Sequence, residues 1–335
     1  MNPLNKTISA FLAILFIISG VSALLLFNFD RNAFAAETYQ QAFEREDFYN
    51  KIPSLLAQSI TDSTEPTQQP LGMQGMSTET WESFMRTLLP PNVLKPIGDD
   101  VLISSFAYLN MESDTIQIDL ALLKASMVSE TGTQAALSLL NTLPPCTLEQ
   151  SAMIMFGMFT GDQIQLCNPP ENVLPMLMPL IQGQMKAAAA IIPDQLTLTT
   201  APSEGDPREQ LQTTRFFMRL SLIPPLLLLL TLTVFAVRSL KDWLTWWGIP
   251  FFVTGASAYL TGLLGAPVFG NMLQRVLINR MPDYLPLFLL DFASDLAAAM
   301  VRALLNPVML QGLALAIVGL GMAAAGFFIK PKSAA

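Results

Sequence analysis

The stretch ISAFLAILFIISGVSALLLF, Ile8–Phe27, decides how the rest of the chain is read. It is 20 residues long and carries no charge. At a helical rise of ~1.5 Å per residue it covers the ~30 Å hydrocarbon core of a bilayer. A cleaved signal peptide is the competing reading. Lys6 supplies a positive n-region, and Ala33-Phe34-Ala35 has the A-x-A form of a cleavage site. The apolar run is longer than the ~7–15 residues of a typical h-region. The motif also lies beyond the polar stretch Asn28 to Asn32. An uncleaved anchor, residues 1–29 with the span at 8–27, is the preferred reading.

Working outward, three further apolar runs reach spanning length: Phe216–Val237, Leu244–Gly265 and Met309–Ile329, of 22, 22 and 21 residues. The chain is 335 residues long and 52% hydrophobic. These runs make it an integral membrane α-helical protein with four transmembrane helices. Lys6, the Arg238/Lys241 loop and the Lys330/Lys332 tail fall on one side of a four-span chain. The positive-inside rule makes that side cytoplasmic. Residues 30–215 then lie outside, and 216–335 form the C-terminal membrane region.

The 30–215 segment holds 22 acidic and 9 basic residues, a net charge of −13. That balance excludes nucleic acid as a partner and disfavours docking on anionic lipid. Its two cysteines, Cys146 and Cys167, are the only ones in the chain. An oxidising compartment and an even count predict a disulfide between them. The flanks Pro144-Pro145-Cys146 and Cys167-Asn168-Pro169-Pro170 suit a stapled loop. The absence of histidine removes Ser-His-Asp and Cys-His catalysis, histidine zinc sites and histidine pH switching.

Within this segment Glu37–Asn50 reads as an amphipathic helix interrupted at Pro53, with Leu55, Leu56 and Ile60 continuing its pattern. Residues 61–80 read as a loop rich in Ser, Thr, Gln, Pro and Gly. Trp81–Leu89 is a short helix. Pro90-Pro91 opens another that runs to about Leu109. Asp114–Leu120 and Asp194–Thr200 alternate apolar and polar residues, and we expect these two strands to pair. Thr147 with Gln150 forms a capping box, and a helix covers about Glu171–Ala190. The domain is therefore mostly α with a minor two-stranded β element.

Asp99-Asp100 and Glu112/Asp114 are the close carboxylates to weigh as acid/base pairs. Adjacent helix residues diverge, so capping or solvated charge is the expected role, and no catalytic residue is assigned. The methionines Met73, Met76, Met153, Met155 and Met158 could bind Cu(I) as thioethers. Without Cys or His beside them they read as core filling. No phosphate-loop, dinucleotide or nucleophile-elbow motif occurs, and no cofactor or metal is expected.

The runs Thr38-Tyr39, Ala42-Phe43, Phe48-Tyr49 and Ile52-Pro53 follow the anchor. Ser105–Asn110, Thr115–Leu120 and the PPC…CNPP pair come later. Together they resemble a family of uncharacterised bacterial multi-span membrane proteins with an extracytoplasmic domain. The resemblance implies a bacterial plasma-membrane setting and carries no activity.

In the membrane half, Arg219 can snorkel from the second span. No other ionisable residue lies inside the four runs, which disfavours a secondary transporter. Pro224-Pro225 should kink the second helix and Pro250 the third. Thr254, Ala258 and Gly262, and Gly312, Ala316, Gly319 and Ala323, form small-residue stripes suited to close helix packing. Between spans three and four, about 284–305 is apolar, with Asp291, Ser294, Asp295 and Arg302 on one face. It reads as a helix at the outer interface or packed under the outer domain.

The expected function is a non-enzymatic plasma-membrane protein whose stapled outer domain binds a partner or ligand or organises an assembly. The bilayer and a protein partner are the expected contacts. One alternative is a permease-like subunit of a transport complex, superficially like the macrolide-exporter type. Its Ser239–Trp243 turn is too short to grip an ATPase. A carboxylate-based membrane hydrolase is the third reading.

Overall fold

The computed structural model describes residues 3–63, 76–147, 167–171, 173–202, 205–280 and 287–329. About 81% of the chain is helical. The described elements run in chain order: α1 (Pro3–Ala33), α2 (Ala36–Arg45), α3 (Phe48–Ser63), α4 (Thr78–Leu88), α5 (Pro91–Leu109), β1 (Thr115–Asp119), α6 (Ala121–Val128), α7 (Glu130–Asn141), α8 (Leu174–Ile191), β2 (Gln195–Thr200), α9 (Pro207–Leu220), α10 (Ile223–Ala236), α11 (Leu240–Arg280) and α12 (Leu287–Phe328).

Four stretches are long and apolar enough to cross a membrane: Asn5–Ala33, Pro207–Ala236, Leu240–Phe269 and Phe292–Phe328. They contain the four runs read from the sequence, apart from Val237 and Ile329, which each lie one residue past a helix end. The chain alternates in direction through them. Phe16 stacks on Phe251 and Gly20 meets Thr254, so α1 and α11 run parallel. Gly248 and Gly255 of α11 meet Gly319 and Gly312 of α12 in reverse order, so α12 runs antiparallel to both, and Asn28 of α1 pairs with its Gln311. Only 17% of the most apolar window of Asn5–Ala33 is buried within the protein. Phe11, Ile14 and Ile18 face outward, as do Leu226, Leu227, Leu230 and Val234 of α10. In water such a belt would be a large unfavourable apolar surface.

The second of these stretches is two helices. The chain turns at Ser221-Leu222, and Pro224-Pro225 occupy the first turn of α10. A proline there gives up an N–H that the helix start does not use. Pro250, expected to kink the third helix, and Pro267 both lie inside the continuous helix α11.

The sequence reads 284–305 as a helix at the outer interface or packed under the outer domain. The described part of that segment is the first half of α12, which continues through Pro307 into the last crossing. Its partner α11 likewise runs past Gly265 to Arg280. This long hairpin finds cover that a lone interfacial helix would lack: Leu305 packs over Gly265, Phe292 stacks on Phe48, and Arg302 reaches Glu46.

α11 and α12 meet along glycines seven residues apart, Gly248 and Gly255 facing Gly319 and Gly312. A strict seven-residue repeat holds one seam together in a left-handed pair. A Cβ on Gly255 would lie 2.3 Å from the Ala316 backbone nitrogen, so these backbones nearly touch.

The described residues between the first two of these apolar helices, within 34–206, are mostly helical. The expected break at Pro53 falls earlier: Asp47, at φ 53°, separates α2 from α3, and Pro53 is buried inside α3. Phe43, Phe48 and Tyr49 stack around that corner. Tyr49 donates to Asp99 (3.2 Å), and burial together with the Asp99 carboxylate pushes its phenol pKa up. Ser77 caps α4, accepting from the Thr80 N–H. β1 and β2 pair antiparallel as expected, Ile118 opposite Leu196, with an irregularity at Ile116/Gln117. The other edge of β1 is held by α5 side chains: Ser104 Oγ and Asp100 Oδ2 accept from the Gln117 and Asp119 N–H groups. Residues 64–75 of the expected loop and the capping-box helix after Thr147 lie outside the described residues.

Candidate functional site

α9 is the element that ties the domain to the long helices. Its sequence PREQLQTTRFFMRL places Arg208, Arg215 and Arg219 at i, i+7 and i+11. At 100° per residue these three fall on one narrow stripe. Asp206 begins the helix as its N-cap, and its carboxylate accepts from the Arg208 N–H (2.9 Å).

Arg208, 4% exposed, closes the turn between α5 and β1. Its Nε donates to Asp206 (2.8 Å), Nη1 to the carbonyls of Ser113 (2.8 Å) and Tyr108 (3.1 Å), and Nη2 to Asp114 (3.2 Å). The guanidinium lies 4.3 Å from the centre of the Tyr108 ring. The turn it holds contains Met111 at φ 61°, so carbonyls that no helix or strand satisfies gain donors here. The Arg208 hydrogen bond also holds the Asp206 carboxyl below its usual pKa.

Two turns on, Arg215 reaches the end of α1. Its Nε donates to Asp30 Oδ1 (2.8 Å), and Arg219 Nε donates to Asp30 Oδ2 (2.8 Å). Asp30 and Arg215 are 5% and 7% exposed. Arg215 also donates to Asn110 Oδ1 and stacks over Phe34, 4.3 Å from the ring centre. Asn110 in turn donates to the Phe34 carbonyl (3.2 Å). One carboxylate therefore receives two guanidinium groups, and one of these contacts α1 and the C-cap of α5 together. Below Asp30, Asn28 and Gln311 exchange amide hydrogen bonds (2.8 and 3.1 Å), joining α1 to α12.

This junction was not assigned from the sequence. Arg219, expected to snorkel, is the outermost member of the cluster and is still more than half exposed. The four apolar runs hold no Asp, Glu, Lys or Arg besides Arg219, but the helices outrun those runs. Asp30 lies in Asn5–Ala33, and Arg208 and Arg215 lie in Pro207–Ala236. The 7-and-4 arginine spacing was the available signal.

Cys146 and Cys167 form the disulfide, with Cα atoms 5.0 Å apart. The proline flanks do more than end the loop. Cys146 N–H donates to the Asn168 carbonyl (2.9 Å) and Asn168 N–H to the Pro144 carbonyl (2.8 Å), a parallel bridge beside the S–S bond. Cys167 packs with Leu177 and Ile181 of α8 against Leu137 and Leu140 of α7.

The carboxylate pairs do not converge. Asp99 accepts from Tyr49, Asp100 from the β1 backbone, and Asp114 from Arg208. Among the described residues no group of three or more Cys, Asp or Glu could hold a metal ion. Met73 and Met153–Met158 lie outside the described residues. Compared with known protein families, curated proteins and solved structures, the chain matches none.

Proposed function

We propose that the chain is a multi-pass protein of a bacterial plasma membrane, with both termini cytoplasmic and residues 30–215 outside. Its outer domain is a non-enzymatic module that presents a fixed surface to a protein partner or assembly. The resemblance noted in the sequence supports the bacterial setting, and the Lys/Arg placement supports the orientation. The observation that carries the functional reading is the Asp30–Arg215–Asn110 junction, which attaches the domain at a buried, charge-assisted contact. A domain joined only by a flexible linker would not need one. Apolar side chains stand exposed at Ile191, the end of α8, and at Leu196 and Leu198 of β2, and suit a partner contact.

Two measurements test this in cells. A reporter active only in the cytoplasm should be active after Lys332 and silent within 64–75, and activity at the second site would sink the orientation. A photo-crosslinker at Leu198 should trap one discrete partner that the same group at Lys186 does not. Equal or absent crosslinking at both positions would refute the partner reading.

A further inference from the structure

A cavity of about 300 Å³ opens where α1 ends, between α1, α2 and α12. Its polar lining includes Arg31, Asn32, Glu37, Gln41, Arg45 and Asn306. Arg86, Arg208, Arg215, Arg219 and Arg302 each meet a carboxylate. Arg31 and Arg45 have no such partner among the described residues. The start of α2 borders the same space, and no side chain caps it at Ala35. Two unpaired guanidinium groups, amide donors and a helix start with free N–H groups make a setting for an anion.

The level of the cavity narrows the choice. Arg31 and Asn32 lie four and five residues past Phe27, where the first apolar run ends. Asn306 and Pro307 come directly before the run that begins at Met309. The cavity thus sits where two apolar helices pass out of the hydrocarbon, the level of the lipid phosphates.

We propose that the cavity holds the phosphate of a phospholipid headgroup, with Arg31 and Arg45 donating to its non-bridging oxygens. Glu37 distinguishes the two sources of phosphate. A monoester carries about −1.5 to −2 at pH 7, whereas a lipid diester carries a single charge and is repelled less by the Glu37 carboxylate. An ammonium on the headgroup gains an opposite charge from Glu37, so phosphatidylethanolamine fits the lining better than a free phosphate does. The inference rests on the membrane insertion proposed above.

Native mass spectrometry of the full chain in detergent, titrated separately with dioleoyl phosphatidylethanolamine, dioleoylglycerol and inorganic phosphate, tests it. One phosphatidylethanolamine should bind at least ten-fold more tightly than dioleoylglycerol, which lacks the phosphate. The R31A/R45A double variant should lose that preference, and R238A, distant from the cavity, should keep it. Both arginines are exposed and unpaired, so an unchanged elution profile and helical spectrum should accompany the loss. Equal binding of the two lipids, or a preference that survives R31A/R45A, would overturn the proposal. So would inorganic phosphate binding through these arginines with no lipid preference. Alkaline carbonate extraction of the same membranes separates the two readings. A chain that stays with the pellet but shows no lipid preference refutes only the cavity, whereas a chain that is released refutes the insertion.

Discussion

Adding one methyl group at Gly255 should open the α11–α12 hairpin. The new Cβ would stand 2.3 Å from Ala316 N, 2.6 Å from Gly312 O and 2.8 Å from Ala316 Cα. All three are backbone atoms, so no side-chain rotation relieves the clash. Ordinary contact begins near 3.4 Å, so the helices must part by 3.4 − 2.3 = 1.1 Å at this point. Overpacking of this kind costs about 1–3 kcal/mol. The alanine gains about 1 kcal/mol of helix propensity over glycine, an offset smaller than the upper part of that range. Three backbone clashes under 3 Å put the cost at the upper end of that range, so the expected net loss for G255A is about 2 kcal/mol, with a larger loss for G255V. Gly321, on the same helix as Gly312, has nothing within 4 Å of its added Cβ and provides the control. Reversible unfolding in mixed dodecylmaltoside and SDS micelles, followed by fluorescence of Trp243, Trp246 and Trp247 near the start of α11, measures the difference. G255A should unfold at lower SDS fraction than wild type and G321A should not. G255A/G319A should fall short of additivity, because the first methyl already parts the seam that the second would strain. A G255A protein as stable as wild type would refute the close approach of the two backbones.

Three further outcomes are expected. Asp30→Ala leaves Arg215 buried without its carboxylate and should cost about 3 kcal/mol, the low end for a broken buried pair because Asn110 and Phe34 still hold the guanidinium; limited proteolysis of the 34–206 domain should quicken, and an unchanged digestion pattern would contradict it. Cys146→Ser opens a loop whose ends are 21 residues apart and should lose ~3 kcal/mol by the chain-entropy model, with the C146S/C167S double variant no worse; two thiols alkylated in unreduced wild-type protein would refute the bond. Asp206 titrates below its ordinary value when folded, so its contact with Arg208 contributes stability at neutral pH that is lost as pH falls through that depressed value, below about 4; D206N should flatten the acid-side decline in melting temperature, and an identical slope would argue against the contact.

Much of the architecture was legible because it depends on local composition. Twenty uncharged apolar residues at Ile8–Phe27 announce a membrane-length helix whatever surrounds them. The alternation in Thr115–Asp119 and Gln195–Thr200 identifies two strands, and among the described residues each finds its partner in the other. Cys146 and Cys167 are the only two cysteines, so their pairing needed no geometry. Pro91 starts α5 for a reason contained in its own ring.

What tertiary structure decided are the features that depend on a partner distant in sequence. Residues 287–305 are apolar with a polar face, and that pattern fits an interfacial helix as well as half of a long hairpin. The choice falls to the hairpin because Gly265, Phe48 and Glu46 supply its cover. Asp30 reads as a polar residue after an anchor until Arg215, 185 positions later, is brought onto it. Arg31, one residue further on, faces the opposite problem: no carboxylate among the described residues reaches it, and only the packing of α2 and α12 around it makes a cavity. Charge and hydropathy are properties of a residue and can be read along the chain. Whether a charge is paired, buried or left open is a property of the space around it, which the folded chain alone creates.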